Sequence, residues 1–127
     1  MGSNLVDKKF KLIGFDVDGT ILTHEHKVCR RLIDIVNRLK QKGYIFTLVT
    51  ARFPISALKV AKELGLSQNE HIITLNGSYI TNAMHDTIYS QTFKTTTINT
   101  LFEQIHPDIT INYYSGFIWM VDRRAHV

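Results

Sequence analysis

From Phe10 to Leu75, short apolar runs alternate with stretches of helical periodicity, and that alternation leaves few folds open to the chain. Phe10 to Phe15 is a nearly continuous apolar run that stops at Asp16, which predicts a buried strand rather than an amphipathic one. Val28 to Lys42 places Val28, Leu32, Ile35, Val36 and Leu39 on one helical face, and Gly43 follows as a C-terminal cap. Tyr44 to Val49 is a second β-prone run. Pro54 to Leu64 repeats helical spacing through Ile55, Leu58, Ala61 and Leu64 before Gly65 closes it. His71 to Leu75 supplies a third strand. The order βαβαβ predicts an α/β fold, a Rossmann-like parallel sheet with right-handed crossovers.

After Asn76-Gly77 the rhythm changes. Tyr79 to Thr81 and Thr87 to Phe93 flank the turn-prone segment from Asn82 to Asp86, which predicts a hairpin. Ile98, Leu101, Phe102 and Ile105 mark a helix ended by Pro107, and Ile109 to Tyr114 and Phe117 to Val121 bracket the two-residue turn Ser115-Gly116. This αββ piece is expected to form a separate α+β layer. The expected division is 1–82 for the βαβαβ portion and 83–127 for the αββ portion.

The 127 residues suffice for one ordinary domain, and 44% hydrophobic with 20% charged residues excludes disorder and low-complexity chains. The longest stretch free of Asp, Glu, Lys and Arg, His71 to His85, is 15 residues and rich in Asn and Thr, whereas a spanning helix needs about 20 apolar residues. No membrane partner is expected. Met1 to Lys11 lacks the apolar run of a signal peptide, so the expected location is cytoplasmic. Cys29, the single cysteine, reads as a buried or half-buried helix residue without a disulfide partner. A net charge of +4 suits anionic ligands. The basic residues, among them Lys8, Lys9, Arg30, Arg31, Lys40, Arg123 and Arg124, are scattered without interleaved aromatics and read as solvated faces, so no nucleic-acid partner is expected.

The chemistry concentrates in Asp16-Val17-Asp18-Gly19-Thr20, directly after the first strand, where open α/β sheets place their ligands. Two carboxylates two residues apart at a strand end can face one crevice in different environments, one as nucleophile and one as acid/base. At this chain's own composition the pattern D-x-D-G-T is expected by chance only about 0.002 times. An Asx-rich turn with solvated acids is the competing reading, and the preceding strand excludes an EF-hand calcium loop. His24-Glu25-His26 has no third ligand nearby and reads as a flap rather than a metal site.

Together with a second strand ending in Thr50-Ala51-Arg52 and with Leu75-Asn76-Gly77 after the third, this string resembles the haloacid dehalogenase (HAD) superfamily, specifically the Cof-type phosphatases, over essentially the whole chain. The resemblance implies a HAD core followed by the opening of its cap. It makes Asp16 the nucleophile that forms an aspartyl-phosphate and Asp18 the general acid/base, with a carboxyl pKa raised by its neighbours. It places Mg2+ on the Asp16 carboxylate and the Asp18 backbone carbonyl, with Gly19, Thr20, Thr50, Arg52, Asn76 and Gly77 toward phosphate or substrate. Ala51 stands where glycine is common in the family. The substrate class implied is a small phosphorylated metabolite. A lysine and a distal Gly-Asp-x-x-x-Asp loop complete such sites after the cap, and neither is visible in this sequence, so the chain looks like the N-terminal half of a larger phosphatase with turnover greatly depressed. The alternative is a non-catalytic product, truncated or serving as a phosphate-binding or assembly module. Without the later strands of a HAD core, Phe10 to Phe15 becomes an exposed sheet edge, which predicts a homo-oligomer.

Overall fold

The computed structural model describes residues 11–122. Along the chain run β1 (Leu12–Phe15), α1 (Arg30–Gln41), β2 (Ile45–Val49), α2 (Pro54–Glu63), β3 (His71–Thr74), β4 (Tyr79–Asn82), β5 (Thr87–Ser90), α3 (Thr95–Gln104), β6 (Ile111–Ser115) and β7 (Ile118–Asp122). Phe10, the expected start of the first strand, lies outside the described residues, as do Lys8, Lys9, Arg123 and Arg124. Strands β1 to β5 form one sheet in sequence order, with β1–β2 and β2–β3 parallel and β3–β4 and β4–β5 antiparallel. The sheet is therefore mixed: two parallel steps, as the βαβαβ pattern requires, extended by a hairpin. Strands β6 and β7 pair only with each other among the described strands, Ile111 opposite Asp122 and Ser115 opposite Ile118.

The core gathers where the sheet meets α2. Pro54, Ala57, Leu58, Val60 and Ala61 are all buried, together with Leu64, Phe46, Leu48 and Ile72. Each fully buried aliphatic or aromatic side chain contributes about 1.5 to 3 kcal/mol. Helix α1 is less enclosed. It buries Val36 fully, half-buries Leu32, Ile33 and Leu39, and leaves Ile35 exposed. The sequence periodicity had put Ile35 on the inner face and passed over Ile33. The inward stripe has turned by one neighbouring row, a shift that a four-member apolar pattern tolerates at helical spacing.

Two expectations are corrected at the start of the chain. Strand β1 alternates rather than being buried throughout: Leu12 is 62% exposed, Ile13 and Phe15 are half-buried, and Phe15 stacks on Phe46 with ring centroids 5.7 Å apart. An edge strand with one face on the core has this pattern, and β1 is the edge. Cys29 is exposed and precedes α1 instead of lying within it, while Val28 beside it is buried and donates its N–H to Glu63 Oε1 at 3.0 Å. The His24-Glu25-His26 segment forms the turn of a small loop closed by the Leu22–Val28 bridge, with His26 in the left-handed region at φ 58°.

On the side of the sheet away from the carboxyl strand ends, Lys40 on α1 reaches across to the loop before β3. Its ammonium donates to Glu70 Oε2 and to the Gly65 carbonyl, both at 2.6 Å, and Ser67 N–H adds a bond to the same carboxylate oxygen at 2.8 Å. Glu70 is 3% exposed, a position in which a carboxylate persists only when paired. This clamp fixes the α2–β3 connection and so the register in which β3 enters the sheet.

Candidate active site

Asp16 and Asp18 owe their placement to the residue between them. Val17 is fully buried, and its carbonyl accepts N–H groups from Ile21 at 3.1 Å and from Thr20 and Leu22 at 3.4 Å, so the chain curls back around it. Alternation then turns both flanking aspartates outward into solvent, at the carboxyl end of β1. Gly19 allows the curl: its φ is +72°, in the region that disfavours a side chain, although a Cβ there would meet no neighbour within 4 Å. Glycine is required by conformation at this position, not by space.

Each aspartate has found a different partner. Thr20 Oγ1 donates to Asp16 Oδ2 at 3.0 Å, within the same loop. Asp18 receives the Arg52 guanidinium as a fork, Nε on Oδ2 at 2.7 Å and Nη2 on Oδ1 at 2.6 Å. That bidentate bond holds the Asp18 carboxyl below the usual carboxylate range and raises the Arg52 guanidinium further. The raised pKa expected for Asp18 is therefore not found. Burial pushes in that direction but is outweighed, since the Asp18 side chain is 59% exposed and its charge is directly compensated.

The loop after β2 is tied to the loop after β3. Thr50 is buried, its N–H bonds to Ile73 O at 2.9 Å, and its Oγ1 accepts the Arg52 N–H at 3.1 Å. A hydroxyl that accepts still has one hydrogen to give. Leu75 N–H donates to Arg52 O at 3.1 Å and Asn76 N–H to Thr50 O at 3.3 Å. Leu75, Asn76 and Gly77 all have positive φ, at 48°, 56° and 92°. These left-handed residues form the tight turn that lets the chain leave β3 and return at once as β4. The loops after β1, β2 and β3 are thus linked, the first two by Asp18–Arg52 and the second two by backbone bonds. Asp16, Asp18, Gly19, Thr20, Thr50, Arg52, Asn76 and Gly77 all lie on them.

The part of the site that sequence reasoning missed comes from the β6–β7 hairpin. Tyr114 stacks on Phe53, the residue after Arg52, with centroids 4.8 Å apart, and Phe117 meets Tyr79 edge-on at 5.8 Å and His85 face-on at 5.4 Å. The aromatics of the hairpin were the available signal, but nothing local indicates that Tyr114 reaches Phe53, some sixty positions earlier, or that Phe117 reaches Tyr79 and His85. Among the described residues no group of three or more His, Cys, Asp or Glu side chains is arranged to hold a metal ion. The exposed oxygen donors of the Asp16 to Thr20 loop nonetheless suit Mg2+, which takes one or two carboxylates and completes its shell with water and phosphate oxygens.

Residues 13–126 match the family described as haloacid dehalogenase-like hydrolase. A Haemophilus influenzae protein provisionally named a phosphatase is 30% identical over 110 residues, covering 84% of this chain and 41% of that protein. An HMP-PP phosphatase of Serratia proteamaculans is 31% identical over 71 residues, 56% of this chain and 25% of that enzyme. Among solved structures, a haloacid dehalogenase-like hydrolase from Bacteroides thetaiotaomicron superposes with a TM-score of 0.73 at 24% identity, over 85% of this chain and 42% of its own, a likeness that carries the fold alone. The chain spans less than half the length of these relatives. Sequence agreement that runs from the first strand into the last hairpin, on the same order of strands and helices, leaves one placement: the chain belongs to the haloacid dehalogenase-like hydrolase family.

Proposed function

We propose that the chain carries the nucleophile-bearing part of a magnesium-dependent phosphohydrolase acting on phosphate monoesters of small metabolites. The observation that supports this most is the pairing of two outward aspartates with unlike partners, a hydroxyl on Asp16 and a guanidinium on Asp18. An Asp16 carboxylate oxygen attacks phosphorus; the bond from phosphorus to the leaving oxygen breaks, and a protonated Asp18 supplies that oxygen with its proton. Water then attacks the aspartyl-phosphate, Asp18 takes the proton from it, and Asp16 is released with inorganic phosphate. Magnesium, held by the Asp16 carboxylate and the Asp18 carbonyl, would offset repulsion between the anionic nucleophile and the phosphate. Thr20 orients Asp16, and Thr50 and Arg52 donate to phosphoryl oxygens, with Asn76 and the Gly77 turn bordering the same crevice. As found, Asp18 is a carboxylate suited to the second step, and phosphate competing for Arg52 frees it for the first.

The division into a core (1–82) and the start of a cap (83–127) is supported by the β6–β7 hairpin, which pairs with none of the five sheet strands, but β5, after that boundary, pairs with β4 in the main sheet. The lysine and distal carboxylates of a complete HAD site have no counterpart motif in this sequence. Losing one preorganised electrostatic partner costs about 2.7 to 4 kcal/mol of barrier, so this polypeptide retains the half-site without efficient turnover. With Mg2+, hydrolysis of 4-nitrophenyl phosphate by this chain is expected barely above background, with no further loss in Asp16→Asn. Robust turnover abolished by Asp16→Asn would mean that another residue or chain completes the site.

Electrostatics at Asp18 give a second expectation. A carboxyl lowered by its partner adds stability above its unfolded pKa, and that contribution disappears as pH falls through the lower folded value. The Asp18 side-chain carbon signal in NMR should therefore titrate below the ordinary aspartate value of about 3.9, and Arg52→Ala should return it toward that value. An unchanged midpoint in Arg52→Ala would show that the fork does not persist in solution.

The free edge of β1 supports the alternative reading, a non-catalytic assembly module, in its assembly part. Leu12 is exposed on that edge strand, and β1 has no neighbour on its outer side among the described strands. A second copy pairing along this edge satisfies its open backbone groups. Light scattering should report a dimer or higher oligomer that Leu12→Lys weakens, whereas a monomer at high concentration, indifferent to Leu12→Lys, would exclude the edge as a contact.

A further inference from the structure

The fold gathers cations that are scattered along the sequence. Helices α1 and α2 are successive crossovers between parallel neighbours in the order β1-β2-β3, and right-handed crossovers of that kind put both on one face of the sheet. Val36 of α1 and Ala57, Leu58 and Ala61 of α2 are buried, which leaves Arg31, Ile35, Arg38 and Lys42 exposed along one helix and Ile55, Lys59 and Lys62 along the other, each set spaced by three or four residues. Each outward stripe therefore holds one isoleucine among bases. Arg31, Arg38, Lys59 and Lys62 form no ion pair among the described residues. The acids of the two helices are Asp34 and Glu63, and Glu63 is already taken by the Val28 N–H at 3.0 Å. Opposite charge collects later in the chain, where from Ala83 to Asp122 Lys94 stands alone against Asp86, Glu103, Asp108 and Asp122.

Charge segregated in this way turns the helix layer toward an anionic surface before contact is made. The isoleucines decide which surface. Ile35 and Ile55 are 41% and 42% exposed, so each stripe pairs its cations with an apolar side chain open to water. Against a nucleic acid the bases of the stripe would meet phosphates, but the isoleucines would gain little, and neither helix contains an aromatic residue to stack on a nucleobase. Against a bilayer the isoleucines enter the boundary between headgroups and acyl chains, while the arginine and lysine stems lie along it with their charged ends among the lipid phosphates. We propose that the outer face of α1 and α2 is a docking surface for an anionic lipid bilayer. The contact is peripheral, since among the described residues no helix is long and apolar enough to cross a membrane. The Asp16 to Thr20 loop lies at the carboxyl end of β1 and not on this face, so the inference does not rest on the phosphohydrolase reading.

Fluorescence titration of the labelled full chain tests it, with four probes: phosphatidylcholine vesicles, vesicles containing about 30% phosphatidylserine, polyuridylate and polyglutamate. The phosphatidylserine vesicles should bind at least about tenfold more tightly than the neutral ones, and less so as salt is raised. A basic residue near an anionic bilayer is worth about fivefold in binding, so Arg38→Glu combined with Lys59→Glu should weaken vesicle binding by more than about tenfold, whereas Lys94→Glu, ahead of α3, should leave it unchanged. Ile35→Ser combined with Ile55→Ser keeps the charge and should still weaken vesicle binding about threefold or more, with polyuridylate binding unaffected. Circular dichroism of each variant checks that the helices persist. Equal binding to the two kinds of vesicle, or full binding in the folded Arg38→Glu, Lys59→Glu variant, overturns the inference. Tighter binding of polyuridylate or polyglutamate than of the anionic vesicles, or an isoleucine variant that binds vesicles unchanged, would assign the face to a nucleic acid or an acidic protein instead.

Discussion

The two hydrogen bonds from the Arg52 guanidinium to the Asp18 carboxylate are the contact on which the rest of the site depends. They join the loop after β1 to the loop after β2 across a span that no backbone bond bridges in the described residues. Their strength lies in geometry, not burial. Both groups are partly open to water, where a simple ion pair is worth little, but a planar fork meeting a carboxylate in two parallel bonds fixes direction as well as distance. Lysine in place of Arg52 would keep the charge and lose the direction. The same fork places one bond on each Asp18 oxygen, so the contact that joins the two loops also favours the charged form of the carboxyl.

That contact can form only because the strands beneath it are held in register. Val17 is buried under the loop, Phe46 and Leu48 fill the layer between the sheet and α2, and the Lys40–Glu70 clamp fixes where β3 begins. At the opposite end of β3 the three successive left-handed residues from Leu75 to Gly77 bring the backbone of the third loop against Thr50 and Arg52. The site is therefore a property of strand ends held side by side, and it sits beside an aromatic layer that the second half of the described chain supplies.

Much of this was legible from the residues alone, for identifiable reasons. Apolar runs at Tyr44 to Val49 and His71 to Leu75 are bounded by turns, and the structure places β2 and β3 there within a residue at each end. The D-x-D-G-T string located the first loop because its spacing, its glycine and its place after a strand all agree. Periodicity failed where burial is partial, at Ile33 and Ile35 of α1, and the apolar run of β1 read as buried although the family resemblance, not the run itself, had pointed to an edge position for that strand. The Arg52–Asp18 fork and the Phe53–Tyr114 stack join residues far apart in sequence, so no local pattern could have announced them. The antiparallel return of β4 and β5 into the main sheet was hidden likewise, because a hairpin signal says that two strands pair and not which sheet they join.

The central claim is that Asp16 is a phosphoryl acceptor already in position. Fluorine NMR with beryllium fluoride tests it most directly, because a BeF3 group bonds a single accessible carboxylate oxygen in the geometry of an acyl phosphate and needs no turnover. A bound fluorine signal that requires Mg2+, survives in Asp18→Asn and vanishes in Asp16→Asn is the predicted result. The absence of any bound signal from the folded protein, or a signal that persists in Asp16→Asn, would contradict it.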